Sequence, residues 1–299
     1  MESPYSISSN NGGSPLPPSP LTLSIKSPVV VSYEDMKDIL KEYGIFEPDK
    51  ILKDDEERSV CIFTKDSTKY VLKLGNRDNR DDTTKYALLK NEADIYNELK
   101  NFSKEDAKHF PKVYDSGDID NEFFFILMEF IEGKTLFDYV DEAFSTKTYK
   151  DEKEVLKILL NLTLVLKALW SGGIVHNDLS FENVMVESDL AVKLIDFEKS
   201  SKNIDLRFNT LGSTRNGVGY YYLIIATIKT IKDSEKYAPL IASIKKELYE
   251  CEDPSCLTVY SKCAEHFKAA ISALSIAVGG RKKTRRKKAS RSKKSLLKF

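Results

Sequence analysis

No apolar run in this chain approaches the roughly 20 residues that cross a bilayer, so no membrane span is expected. The start, Met1-Glu2-Ser3-Pro4, lacks the charged-then-apolar pattern of a secretory leader, and secretion is not expected either. Cysteine is scarce: four in 299 residues, which should stay reduced in an unsecreted chain. No glycine occurs between Ile51 and Ile62, and no Asp or Glu occurs from 281 to 299. That last absence makes the net charge of zero misleading. Eleven Lys/Arg in the final stretch leave 35 basic against 46 acidic groups in the first 280 residues, a net charge of −11. The chain reads as an acidic body with a basic tail, placed inside a cell, in cytoplasm or nucleus.

With 41% hydrophobic and 10% aromatic residues, the chain can build two lobes with their own cores. Residues 1–30 are rich in Ser, Pro, Gly and Asn and carry Ser3-Pro4, Ser14-Pro15, Ser19-Pro20 and Ser27-Pro28. Such composition buries too little apolar surface to offset chain entropy, so a disordered leader is expected there. The Ser-Pro pairs suit proline-directed kinases, although a plain flexible leader is the simpler account. A folded domain is expected over 31–278 and a disordered tail over 279–299. The tail run Arg281-Lys282-Lys283-Thr284-Arg285-Arg286-Lys287-Lys288 suits nucleic acid, an acidic membrane or an import receptor. A di-glycine before such a tail resembles C-termini common among proteins of giant DNA viruses, which would place the protein in a host cell or virion.

The most informative stretch is His176-Asn177-Asp178-Leu179-Ser180-Phe181-Glu182-Asn183, followed thirteen residues after Asn183 by Asp196-Phe197-Glu198. Asp178 in a loop can accept a hydrogen bond from a hydroxyl and direct it at a γ-phosphate, while Asn183 turns its oxygen to a metal. The run Leu190 to Ile195 reads as a short buried strand that delivers Asp196 to the same place, as a hard oxygen ligand for magnesium. An isolated Asp in a loop is usually a turn former. The ordered combination points instead to ATP-dependent phosphotransfer. His176 reads as a packed structural histidine.

Strands are expected near Lys50–Lys53, Ser59–Thr64 and Lys69–Leu74. Alternation in the third places Val71 and Lys73 on one face, which for a buried lysine demands a partner. A helix follows over Lys85–Lys100, with Leu88, Leu89, Ile95, Tyr96 and Leu99 on its stripe and Glu92 beside it. Lys73 and Glu92 have the order of a strand-lysine and helix-glutamate pair that steadies the α- and β-phosphates of ATP, and Glu98 is the weaker partner. Pro111–Gly117 and Glu122–Gly133 read as two strands of a hairpin leading into a linker. Glu152–Ser171 reads as a long helix with Leu156, Leu159, Leu160, Thr163, Leu166, Lys167 and Trp170 on a packed platform, closed by Gly172-Gly173. Tyr220–Ile231, apolar on all sides, is expected to be a deeply buried helix. Cys251, Cys256, Cys263 and His266 offer four zinc-type ligands, but without a Cys-x-x-Cys knuckle core packing is the default.

Taken together, Lys73, Glu92, Met128-Glu129-Phe130-Ile131-Glu132-Gly133, Asp178, Asn183 and Asp196 resemble the protein-kinase-like superfamily over roughly residues 45–235. The resemblance implies an α+β bilobal fold. A small antiparallel β-sheet lobe with one main helix would span about 31–130, and a larger helical lobe about 131–278. It also implies ATP and Mg²⁺ (or Mn²⁺) between the lobes, with the Glu129 carbonyl and Ile131 amide on adenine and Met128 at the back of the pocket. Asp178 would be the catalytic carboxylate and Asn183 and Asp196 the metal ligands.

Three departures stand out. Typical protein kinases carry Arg before the catalytic Asp and Lys two residues after it; here stand Asn177 and Ser180. Asp-Leu-Ser is similar to RIO-type atypical kinases, while His-Asn-Asp and Ile-Asp-Phe-Glu look like choline kinases and aminoglycoside phosphotransferases. The turn that should cover the phosphates has no glycine but Asp54-Asp55-Glu56-Glu57, which would repel phosphate by on the order of 1 kcal/mol per close pair in water. Arg58 and Ser59 offer a substitute contact there. Finally, no Ala-Pro-Glu motif follows Asp196; Leu211–Tyr220 is either a reduced substrate-positioning loop or a plain turn. The leading expectation is an atypical serine/threonine protein kinase. A choline- or aminoglycoside-type small-molecule kinase is the second reading and a pseudokinase scaffold the third.

Overall fold

The computed structural model describes residues 37–38, 41, 47–54, 58–76, 85–119, 123–202, 215–250 and 258–276. The leader, the basic tail, Asp55, Glu56 and Glu57, Cys251 and Cys256, and Leu211 to Thr214 lie outside these residues.

Strict alternation in sequence becomes a two-faced sheet. Five antiparallel strands, β1 (Lys50–Asp54), β2 (Arg58–Lys65), β3 (Thr68–Asn76), β4 (Val113–Ile119) and β5 (Phe123–Glu129), line up in the order β1-β2-β3-β5-β4. Along β5, Phe123 and Leu127 join Cys61, Phe63, Leu72 and Leu74 in one buried cluster. Phe124, Ile126 and Met128, at the positions between, join the main core with helix α1 (Lys85–Leu99). A period of two splits consecutive aromatics between opposite faces. On central β3, Lys73 lies between Val60 of β2 and Ile126 of β5, and its face is the one toward α1. The alternation reading of Val71 and Lys73 holds, and α1 buries Leu89, Ile95, Tyr96 and Leu99 while Leu88 is half-buried.

Below the sheet, β6 (Gly133–Thr135) leads into α2 (Leu136–Ser145), whose start is closed by a capping box between Thr135 and Asp138. Next, α3 (Glu152–Ser171) starts on Asp151, whose carboxylate accepts from the Lys153 and Glu154 amides at 2.9 and 3.0 Å. This is the expected platform helix, with Leu156, Leu159, Thr163, Leu166 and Trp170 buried, although Lys167 is exposed. Charged Lys167 sits on the solvent edge of the stripe. Gly173 takes a φ of +70°, a conformation that suits glycine as the chain leaves the helix.

Helix α4 (Arg215–Ile228) confirms helix over strand for the Tyr220 region but ends before Ile231, and Tyr222 is 64% exposed. The expectation of burial on all sides is thus corrected: one helix packed against α3 cannot cover its whole circumference. It docks through a buried polar contact. Thr163 donates to the Leu159 carbonyl at 2.6 Å and accepts from the Tyr220 hydroxyl at 2.6 Å. Tyr220 and Trp170 both meet Tyr260, with centroids at 5.5 and 6.4 Å, which joins α3, α4 and a helix over 259–276. Helix α5 (Ala238–Tyr249) follows α4 and adds buried Ile244 and Leu248 to this core. Cys263 packs there with its thiol pushed up to about 12 by burial, whereas His266 faces Glu247 at 3.6 Å. Among the described residues no group of three or more His, Cys, Asp or Glu side chains is placed to hold a metal ion.

Candidate functional site

Two short sheets frame the loop 176–183. Strand β7 (Ile174–Val175) enters it and pairs with β10 (Ser201–Lys202), while β8 (Val184–Glu187) leaves it and lies between β6 and β9 (Val192–Leu194). β9 is shorter than expected, because Leu190 adopts a φ of +70° and belongs to the turn. Asp196 follows it with a φ of +67°, a left-handed conformation unusual for a side-chain-bearing residue and frequent where function fixes the backbone.

The sequence-predicted residues converge. Lys73 Nζ lies 2.8 and 2.9 Å from the two Glu92 carboxylate oxygens and 3.5 Å from Asp196 Oδ1. Burial would lower the Lys73 ammonium, but Glu92 and Asp196 outweigh it and hold it above its ordinary value, so the lysine is charged. Burial would likewise raise Asp196, and Lys73 and then Arg58 hold it below the usual carboxylate range. Its Oδ1 is buried with no hydrogen-bond partner, and such an atom suits a hard cation. Asn183 donates its side-chain nitrogen to the Asp178 carbonyl at 2.9 Å, an orientation that commits the nitrogen and not the amide oxygen.

Behind these groups the aromatic residues are locked. Phe197 is fully buried among Tyr96, Phe110 and His176, with ring centroids at 5.2, 5.9 and 4.8 Å, and its amide donates to Glu92 Oε1 at 3.2 Å. His176 is structural, as expected. Its Nε2 reaches the Ile195 carbonyl at 3.0 Å, so that nitrogen carries the proton, and burial lowers the ring's affinity for a second one. At the linker, Met128 and Ile131 are buried. The Glu129 side chain is spent on structure, accepting from Lys193 Nζ at 2.6 Å and the Lys112 amide at 3.0 Å. Glu98 pairs with Lys202 at 2.9 Å and not with Lys73.

Three contacts were not visible in the sequence. Arg58, at the start of β2, forms an ion pair at 3.0 Å with Glu198 Oε2, both side chains largely buried. Lys199 Nζ lies 2.9 Å from Asp178 Oδ2. Asn177, at a φ of +61°, donates to the Lys199 carbonyl at 3.1 Å and Ser201 Oγ at 2.8 Å. A hint existed for the last: Asn is among the residues that tolerate left-handed backbone and bridge turns. At the glycine-free turn, Asp54 accepts from the buried Ser59 hydroxyl at 2.5 Å, so this one acid has a partner of its own.

Comparison with known proteins agrees with this geometry. Residues 59–216 match the protein kinase domain. The chain is 36% identical over 87 residues to the sperm motility kinase Tcr mutant form of Mus musculus, covering 27% of this chain and 17% of that one. It is 31% identical over 80 residues to a probable serine/threonine-protein kinase KIN1 homolog of Enterocytozoon bieneusi, covering 27% and 13%. The match thus spans less than a fifth of these relatives' length. In fold it resembles the BubR1 kinase domain, with a TM-score of 0.59 at 14% identity over 76% of this chain and 80% of that one. The Cydia pomonella granulovirus kinase PK-1 gives 0.52 at 16% identity over 78% and 97%. With more than half of its length matched by the family and a bilobal α+β architecture to go with it, the chain belongs to the protein kinase domain family.

Proposed function

We propose that the chain transfers the γ-phosphate of ATP to serine or threonine hydroxyls of proteins, as an atypical protein kinase. The observation that carries this reading is the convergence of Lys73, Glu92 and Asp196 within hydrogen-bond or ion-pair distance, beside the Asn183–Asp178 contact. Lys73, kept charged by Glu92, would hold the α- and β-phosphates. The Glu129 carbonyl and Ile131 amide would bind the adenine edge in front of Met128. Asn183 and Asp196 fit Mg²⁺ or Mn²⁺, which when bound would supply positive charge to offset that of the phosphates. Asp178 would orient the attacking hydroxyl and take its proton. Positioning and preorganised charge supply most of the rate in such a reaction.

Arg58 supports the reading at its weakest point. Its guanidinium acts on both Asp196 and Lys73, so the start of β2 beside the acidic turn presents the cation that the sequence offered there as a substitute contact. Glu198 and Asn177, the marks of a small-molecule kinase, are engaged with Arg58 and with the Lys199–Ser201 segment.

The test is radiolabelled γ-phosphate transfer to a Ser/Thr peptide library, with choline, ethanolamine and aminoglycosides as rival acceptors. Peptide labelling that falls about 10³-fold in Asp178→Ala is expected for loss of a general base that also positions the substrate. Equal labelling by wild type and variant sinks the assignment. Absence of thermal stabilisation by saturating Mg·ATP would favour the scaffold reading, since ligand at 100 times its Kd adds about 2.7 kcal/mol. The tail over 281–299 is proposed to govern localisation or anion binding, and its deletion should weaken salt-sensitive nucleic-acid binding while leaving peptide transfer intact.

A further inference from the structure

Given the phosphotransfer reading, on which this inference rests, we propose that Lys199 is the cation that neutralises the transferring phosphoryl group. The loop His176 to Asn183 contains no Lys or Arg, and Ser180 stands two residues after Asp178. His176 is buried with its affinity for a proton lowered, so the loop brings no positive charge to the hydroxyl. Two further cations of the site among the described residues face carboxylates, Lys73 against Glu92 and Asp196, and Arg58 against Glu198. Among the cations of the described residues, Lys199 is the one paired with Asp178 itself, at 2.9 Å, and its side chain is about half exposed. A group within hydrogen-bond reach of the carboxylate that takes the hydroxyl proton is also within reach of the phosphorus that the hydroxyl attacks.

The backbone at Lys199 is fixed from two directions. From α1, Asn91 donates to the Glu198 and Ser200 carbonyls at 3.0 and 2.9 Å. From the loop, Asn177 donates to the Lys199 carbonyl, and the His176 carbonyl accepts from Ser200 Oγ at 3.1 Å. A long stem on a fixed backbone can carry its ammonium from Asp178 to a phosphate oxygen without moving the loop. As the hydroxyl oxygen bonds to phosphorus and the bond to the ADP oxygen breaks, the hydroxyl proton goes to Asp178. Lys199 transfers no proton and remains an ammonium, hydrogen-bonded to a non-bridging oxygen of the phosphoryl group. The bland alternative is a surface ion pair, which contributes little.

The experiment compares wild type, Lys199→Met, Lys199→Arg and the double variant Lys199→Met/Ser180→Lys in peptide phosphorylation, with nucleotide binding followed by thermal shift. Lys199→Met should lower kcat about 10²-fold, in the range of a removed transition-state donor, while the shift with Mg·ATP is kept. Lys199→Arg should retain part of the rate, and Ser180→Lys should recover about tenfold in the Met background by bringing a cation from the loop. An unchanged kcat overturns the proposal. So does a raised kcat, which would make the pair an inhibitory clamp, or a loss that neither Arg nor Ser180→Lys relieves. A wild type that transfers no phosphate fails the phosphotransfer reading itself, whereas an active wild type matched by Lys199→Met fails only this inference.

Discussion

Lys73–Glu92 and Arg58–Glu198 are both buried ion pairs that touch the same site, yet they join different things. The first links a strand to a helix within the small lobe, 19 residues apart. The second reaches 140 residues along the chain, from the start of β2 to the segment after Asp196. One is therefore a fixture of a single packed unit, while the other exists only while the two sides of the cleft face each other. Under the proposed function, a phosphate entering the cleft would leave the first pair intact and compete with Glu198 for Arg58.

The largest effect separating the pairs should come from Glu92→Ala. It leaves the Lys73 charge buried against Asp196 alone and should cost about 3–5 kcal/mol in urea unfolding, together with nearly all phosphotransfer. Arg58→Ala leaves the Glu198 carboxylate buried without its cation and should also lower the unfolding midpoint, by less than Glu92→Ala because this pair is less deeply buried, while it weakens Mg·ATP binding about tenfold in calorimetry, the loss of one charge-assisted hydrogen bond. Equal stability losses in the two variants would erase the distinction. Glu198→Gln should act oppositely to Arg58→Ala and tighten Mg·ATP about threefold, because a neutral amide competes less for Arg58. As a reference away from the cleft, Tyr220→Phe should cost about 1 kcal/mol for one buried hydrogen bond and leave nucleotide binding unchanged.

The smallest effect reads out each lobe separately. Cys61 in the sheet and Cys263 in the helical core both have thiols pushed up to about 12 by burial. Folding keeps these thiols protonated where the unfolded chain ionises at about pH 8.5. Their contribution to stability is thus complete below that pH and is lost as pH rises toward 12. At pH 8, alkylation of either should track opening, with Glu92→Ala accelerating Cys61 more than Arg58→Ala does.

The same contrast explains what could be read from the amino-acid order. The strand-lysine, the helix-glutamate and the platform helix announce themselves through periods of two and 3.6, which are local. Asp178, Asn183 and Asp196 are legible because one loop and one turn carry them. By contrast, Arg58–Glu198, Asn91 with Glu198 and Ser200, and Lys199–Asp178 arise from how the elements dock. Nothing near Arg58 in sequence names its partner. The truncated β9 and the exposed Tyr222 depart from the sequence pattern because apolar composition does not reveal a left-handed residue or which side of a helix lacks a neighbour.

Asn177 has a consequence for timing. Its amide ties the Lys199–Ser201 segment to the loop through uncharged hydrogen bonds, which form with the fold and are indifferent to ionic strength. A tether of that kind needs no arriving phosphate to draw it in and offers none a place to pair. A joint of this kind is set when the chain folds, and it answers to temperature and denaturant and not to salt.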